Sequence, residues 1–352
     1  MIFVGDTAIP YKNAVTLDMP EWLKHKNWFG NLEGAVISNS SNLHKKSIVF
    51  NDKDALRSLL NELNITGMAL ANNHIFDTGS FNETLSFLKE VEIPYCGIGK
   101  NSFEASQPLV LGENGIPIVI YNFGWDVIQC EAATKDKMGV NSLTASHVLN
   151  SLNNAKHIYP DSKIIFFFHW SYELEEHPQP WERELAKALI DNGADGIIGS
   201  HPHRIGGIEI YKERPIIYSL GNWMFKQNYY MNSRLQFPDF SNKELAFEWD
   251  LNTSEMLFHF FEYDRNKSNL TFISTETVNS KKIGNYKPFS GLTNEEYKRF
   301  YRLNHYHKRK MLPIYYWEDS KFMILLKNKA NKIRDFVIKV IKHNTKQKYK
   351  RV

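Results

Sequence analysis

The sequence predicts an α/β domain followed by a basic helical extension, on the strength of three features. Short apolar runs alternate with stretches of helical periodicity over the first two thirds of the 352 residues. Several of those runs end abruptly in an Asp, Glu, Asn or His, and positive charge gathers at the far end of the chain.

The strand candidates are 2–4, 28–29 leading to Asn31, 68–70, 116–123, 164–168, 196–198 and 216–218. Between them, 54–63 places Leu56, Leu59, Leu60 and Leu63 on one helical face, and 84–89 continues a helix opening near Ser80. Residues 182–191 do the same with Leu185, Ala186, Leu189 and Ile190, then stop at Gly193. From Glu244 the pattern becomes antiparallel β, with strands at 245–251, 256–263 and 270–277. Asn252-Thr253-Ser254 and Asn266-Lys267-Ser268 form the turns, and these strands are expected to close the edge of the domain. An aromatic and Lys-rich segment, 286–317, precedes a basic helix over about 320–343. The expected organisation is a domain over 1–280 and an extension over 281–352.

An apolar fraction of 42% and a charged fraction of 23% are those of a globular protein, and 14% aromatic residues favour a large sheet core. Cys96 and Cys130 have neither metal-ligand nor redox spacing, which argues against thiolate chemistry. The chain opens directly on a strand-like run and contains no apolar stretch of about 18 residues, so a cytoplasmic protein is expected. Its net charge of +4 hides a split: 281–352 carries 20 Lys and Arg against 5 Asp and Glu, whereas the rest carries 23 against 34. That is an acidic body with a basic tail suited to an anionic partner.

The chemistry lies at the ends of the apolar runs. Five terminate in polar residues: Asp6; Asn31 and Glu33; Asn73 and His74; His169; and His201 with His203. In α/β sheets ligands bind in the crevice at strand carboxyl ends. A polar group left there without a partner costs roughly 1–3 kcal/mol. Carboxylates, an amide and imidazoles without thiolates suit Mn, Fe or Zn in a hydrolytic site better than a structural zinc cluster.

Gly5-Asp6, Asn31-Leu-Glu33-Gly34, Ala71-Asn-Asn73-His74 with Asp77-Thr-Gly79, His169-Trp170 with Glu173, Gly199-Ser-His201-Pro-His203 and Tyr218-Ser-Leu-Gly-Asn222 follow one another in order. In these motifs the chain resembles the CapA family of capsule and poly-γ-glutamate synthesis proteins, a branch of the calcineurin-like metallophosphoesterases. The resemblance implies a metallophosphoesterase-like sandwich of two mixed β-sheets flanked by helices. It also implies one or two divalent ions held by Asp6, the bridging Glu33, Asn73, His169, His201 and His203. His74 is implied beside the substrate as a general acid or a donor to the developing anion; Asn31, Glu173 and Asn222 join it as candidates there, Glu173 and Asp77 as orienting carboxylates. Where phosphoesterases commonly carry a His two residues after the first Asp, this chain has Ala8, and Glu33 stands where an Asp is usual.

Plainer readings stand beside these. Asn222 serves equally well to hold a turn after its strand. Glu209 is a weaker candidate, and Trp22, Trp28 and Trp125 read as packing rather than a sugar platform. His25, His44, His147, His157, His177, His259, His305 and His307 read as surface or packing residues. Phe322, Met323, Leu325, Leu326, Ala330, Ile333, Phe336, Val337 and Val340 recur near helical spacing among lysines, and the Lys346–Arg351 run reads as a mobile end. That helix either packs on the body or lies, through 318–352, on an anionic membrane surface at the inner face. No motif supports nucleic acid as a partner, and the oligomeric state is not legible. Two functions follow: a metal-dependent hydrolase acting on a phosphoester or amide of capsule, poly-γ-glutamate or exopolysaccharide synthesis, or a non-catalytic assembly or export factor. The partner is an acidic polymer or a phosphorylated or polysaccharide substrate for the first, an acidic polymer or the membrane for the second.

Overall fold

The computed structural model describes residues 1–38, 48–79, 81–113, 115–226, 229–230, 233–234, 237–307 and 311–349, with side chains through 338 in the last helix. Ser80, His44 and Arg351, and the side chains of Val340 and Lys346, lie outside what is described.

Parallel strands in two sheets carry the architecture. β1 (Ile2–Ala8), β2 (Trp28–Leu32) and β3 (Ile65–Ala69) lie side by side in one sheet. β4 (Ile116–Gly124), β5 (Lys163–His169), β6 (Gly196–Ser200) and β7 (Arg214–Ile217) form the body of a second. β8 (Asn222–Phe225) returns to pair in parallel with β1, with Asp6 opposite Asn222. β9 (Lys243–Trp249), β10 (Met256–Asp264) and β11 (Asn269–Thr277) form an antiparallel meander.

The meander does more than close an edge. β9 pairs antiparallel with β1, so the larger sheet runs Thr16–Asp18, β11, β10, β9, β1, β2, β3, Tyr95–Cys96, and β1 is central. The reason is visible in β1 itself, where all seven residues are buried and neither side can be left to solvent. The smaller sheet runs Ile208–Tyr211, β7, β6, β5, β4, Leu109–Glu113.

Alternation along each strand sorts side chains between two cores. Phe3, Phe29, Ile118, Ile120, Ile165, Phe167 and Ile198 point between the sheets and form the inner core, where the Phe29 and Phe167 rings meet edge to face at 5.6 Å. Their neighbours Ile2, Val4, Val119, Tyr121, Ile164, Phe166 and Ile197 face outward into the larger helix-covered cluster. Strands covered on both faces are why these segments read as nearly unbroken apolar runs.

The covering helices are α1 (Lys53–Glu62), α2 (Phe81–Glu90), α3 (Ala145–Ile158), α4 (Pro180–Asp191), α5 (Asn294–Asn304) and α6 (Lys321–Tyr349). Asp52 caps α1 by accepting from the Asp54 and Ala55 amides, and α4 opens on Pro180 with Glu182 accepting from the Gln179 amide at 2.7 Å. α6 runs six residues beyond the expected end at 343. Residues after 280 share the core: Phe289, Tyr297, Tyr301 and Tyr315 are buried in the outer cluster, with Tyr315 5.0 Å from the Trp125 ring. Trp28 stacks on Trp223, whereas Trp22 is half exposed with its edge against His259. Glu209 forms a buried two-pronged pair with Arg183, both bonds 2.8 Å, and also accepts from the Tyr218 hydroxyl. Such a pair is structural. Among the described residues no helix is long and apolar enough to cross a membrane.

Candidate metal centre

Each sequence-predicted ligand sits at or just past a strand's carboxyl end, and the two sheets bring those ends together. Asp6 is near the end of β1, where its pairing shifts register against both β2 and β8. Gly5 permits this: a Cβ there would stand 1.8 Å from the Gly221 carbonyl oxygen, to which the Asp6 amide donates at 3.0 Å. Glu33 follows β2 directly, and Gly34, at φ +82, turns the chain away where a Cβ would meet the Val49 carbonyl at 2.4 Å. His201 and His203 adopt left-handed backbone, φ 96 and 54, just after β6. Non-glycine residues hold that conformation at a cost of order 1–3 kcal/mol and do so mainly at functional sites.

Asp6 Oδ2 accepts from the His201 amide at 2.9 Å, tying one sheet to the other, and Oδ1 accepts from Asn31 Nδ2 at 2.8 Å. The His203 Nδ1 atom lies 2.9 Å from Asn222 Oδ1, which leaves Nε2 facing Glu33 Oε1 at 3.8 Å. Asp6, Glu33 and His203 each offer a ligand atom within 4.8 Å of the others. Glu33 is fully buried, yet neither carboxylate oxygen has a hydrogen-bond partner, and His201 Nδ1 is buried and unpartnered as well. Buried polar atoms find partners almost without exception in native proteins. A fully buried carboxylate without a hydrogen bond to either oxygen, beside Asp6, His201 and His203, fits a divalent cation.

The electrostatics agree. Burial raises the Asp6 carboxyl to about 7 against the pull of its Asn31 and His201 bonds. Burial, then the charges of Asp6, Glu173 and Asp77, push Glu33 well above the ordinary carboxylate range. Burial and mutual repulsion hold His169 and His201 well below the usual imidazole range, and burial carries His203 down to about 3 despite its bond to Asn222. The pocket therefore disfavours every charge it contains, a cost that a bound cation relieves for the carboxylates.

The remaining predicted residues fall into distinct places. His169 Nε2 lies 2.8 Å from Asn73 Oδ1 and its Nδ1 is 2.9 Å from Ser200 Oγ, so two expected ligands are bonded to each other. His74 is buried beside the cluster, with Nδ1 2.8 Å from Asp77 Oδ2 and Nε2 3.0 Å from Asn73 Nδ2 and 3.7 Å from Glu33 Oε1. Asn31 and Asn222 are buried and hydrogen-bonded to Asp6 and His203, which they position. Glu173 is exposed at the rim; its carbonyl is bonded by His307 and its charge reaches Glu33 only through space. Ala8 is fully buried with Val49 and Phe225, and the Phe225 and Phe237 rings lie 4.9 and 4.6 Å from the His203 ring. Where a second histidine is common, an apolar wall stands.

Four residues went unassigned in the sequence. Asn72 donates to Asn31 Oδ1 and the Leu32 carbonyl while accepting from the Gly34 and His74 amides. Asn51 donates to the Glu33 carbonyl, Ser200 braces His169, and Asn122 accepts from the Leu70 and Ala71 amides. A lone amide inside the apolar run of β4 is the signal that could have revealed Asn122. Outer partners of this kind set metal affinity by orienting ligands. Asn222→Ala is accordingly expected to weaken divalent-metal affinity about 10- to 100-fold with little change in the circular dichroism spectrum; unchanged affinity by titration calorimetry would remove Asn222 from the site.

The family model for the bacterial capsule synthesis protein PGA_cap matches residues 11–227. A capsule biosynthesis protein CapA of Bacillus anthracis is 31% identical over 216 residues, 59% of this chain and 53% of that protein. A PGA biosynthesis protein CapA of Bacillus subtilis (strain 168) is 30% identical over 57% of this chain and 53% of its own length. The chain thus spans about half the length of these curated relatives. Among solved structures, a 5'-nucleotidase precursor from Thermus thermophilus aligns with a TM-score of 0.39 at 11% identity, covering 78% of this chain and 53% of that one.

Proposed function

Since the chain belongs to the bacterial capsule synthesis protein family PGA_cap, we propose that it is a metal-dependent hydrolase of capsule or poly-γ-glutamate synthesis, cleaving a phosphoester or amide bond. The observation that carries this reading is Glu33, fully buried with both oxygens open and within reach of Asp6 and His203. Asp6, Glu33 and His203 would hold the ion, with His201 completing the set. The apolar wall around Ala8 favours one tightly held ion over two. Mn, Fe or Zn would suit these donors.

When bound, such an ion supplies positive charge that acidifies water and polarises the bond to be broken. The chain's own residues do the rest. Asn31 and the His201 amide fix both oxygens of Asp6, and Asn222 fixes the ring of His203. The Asp77 carboxylate fixes Nδ1 of His74, and Nε2 lies between Asn73 Nδ2 at 3.0 Å and Glu33 Oε1 at 3.7 Å, from where a doubly protonated ring would hand its Nε2 proton to the departing oxygen or nitrogen. Water adds its hydroxide to phosphorus or the carbonyl carbon and releases its other proton to solvent, the bond to the leaving group breaks, and His74 gives that group its proton and regains one from solvent.

His74→Ala tests the assignment because it separates chemistry from metal. The wild-type chain should bind manganese or zinc near stoichiometrically and hydrolyse bis(p-nitrophenyl) phosphate or γ-glutamyl p-nitroanilide. The variant should retain its metal and lose turnover by about 10²- to 10⁴-fold. Absence of bound metal and of turnover in the wild type would favour a non-catalytic assembly role.

A further inference from the structure

The last helix is inside out. α6 turns its polar side chains toward the body: Asn331, only 4% exposed, donates to the hydroxyls of Tyr172 and Tyr315. Asn328 accepts from Tyr315, Asp335 accepts from Gln129, and Lys327 pairs with Asp319. These positions recur every three or four residues and define the inner stripe. Phe322, Leu325, Leu326, Ile333, Phe336 and Val337 occupy the opposite stripe and are 44–68% exposed. Soluble helices place such residues against the core. An apolar stripe of this size, left to water on an otherwise well-packed body, marks a surface that something covers.

We propose that this outward face of α6 docks the protein on an anionic lipid bilayer. Charge selects the occupant. Residues 318–352 hold 11 Lys and Arg against 3 Asp and Glu, and Lys321, Lys329 and Lys332 are exposed around the apolar stripe. A second copy of the chain would bring two such cationic helices together, which repel; anionic headgroups attract them while the acyl region takes up the apolar side chains. Lysines beside a membrane-lying stripe extend their ammonium groups back to the headgroups. Trp317, 41% exposed just ahead of the helix, adds a residue type favoured at the boundary between lipid and water. The polar bonds to Tyr172, Tyr315 and Gln129 would fix the protein body on the bilayer rather than let it hang from a free tail. This inference is independent of the metal centre.

Co-sedimentation with vesicles tests it. The wild-type chain should pellet with equimolar phosphatidylglycerol and phosphatidylcholine, remain in solution with phosphatidylcholine alone, and be released by high salt. Leu325→Glu with Phe336→Glu alters two exposed positions, so folding and metal content should be spared while partitioning falls by about tenfold or more. Lys329→Glu with Lys332→Glu keeps the stripe, reverses the charge, and should also weaken partitioning several-fold. A wild-type chain that stays in the supernatant with both vesicles, or unchanged pelleting of both variants, overturns the proposal. A concentration-dependent dimer in light scattering, abolished by the glutamate pair and unaccompanied by vesicle binding, would also overturn it and assign the face to a second copy.

Discussion

Glu33→Gln should leave a folded protein that no longer gains stability from manganese or zinc and turns over substrate more than about a thousandfold more slowly. A thousandfold corresponds to roughly 4 kcal/mol of lost transition-state stabilisation. The fold survives because burial and acidic neighbours already push Glu33 well above the carboxylate range and so favour its neutral form, whose shape glutamine nearly matches. Metal binding fails because a neutral amide replaces the carboxylate whose two oxygens have no hydrogen-bond partner. For the wild type, a ligand at a thousand times its dissociation constant adds about 4 kcal/mol, which raises the melting temperature by several degrees in a protein of this size. Thermal melts with and without metal separate the two forms. Equal metal-induced shifts in wild type and variant would show that the ion binds elsewhere, and retained turnover would remove Glu33 from the chemistry.

Much of this centre was legible in the sequence because its residues end apolar runs, and the strands deliver them to one place by parallel pairing. Asp6, Glu33 and His203 converge as their positions suggested. What could not be read was how the polar side chains divide among themselves. Asn73 and His169 bond to each other, and Asn31 and Asn222 serve neighbouring ligands, because those choices depend on distances across two sheets rather than on order along the chain. The same limit applies to the meander: its three strands were evident from alternation, but their place beside β1 follows from β1 being buried on both sides. α6 was visible as an amphipathic basic helix, yet periodicity is silent about which stripe meets the body. That was decided by Asn331 finding two buried tyrosine hydroxyls.

Metal affinity should rise steeply with pH up to and through about 7, with protons released to solvent on binding. The sign follows from the two classes of ligand. Asp6, raised to about 7, and Glu33, pushed well above the ordinary carboxylate range by burial and its acidic neighbours, both favour the protonated form in the metal-free fold and must give up protons to a cation. His169, His201 and His203 are held below the usual imidazole range, so they are already neutral and release none. Stability of the metal-free chain carries the same imprint. A carboxyl whose folded pKa exceeds its unfolded value near 4 stabilises the fold fully at low pH and loses that contribution as pH rises toward about 7. The depressed histidines act oppositely, since the unfolded chain takes up their protons below about 6.5 and stability falls with acid. The two slopes compete between about pH 4 and 6.5, and above that the carboxyl slope stands alone. Saturating metal should remove the share of that loss owed to Asp6 and Glu33, because their ionised carboxylates are then the bound form, and leave the share owed to buried Glu175 and Glu244, raised to about 7 and about 8. Titration calorimetry at pH 6, in buffers of differing ionisation enthalpy, reads the protons directly. Heats that do not vary with the buffer would mean that Asp6 and Glu33 are already ionised, and would overturn the predicted proton release and the rise of affinity with pH.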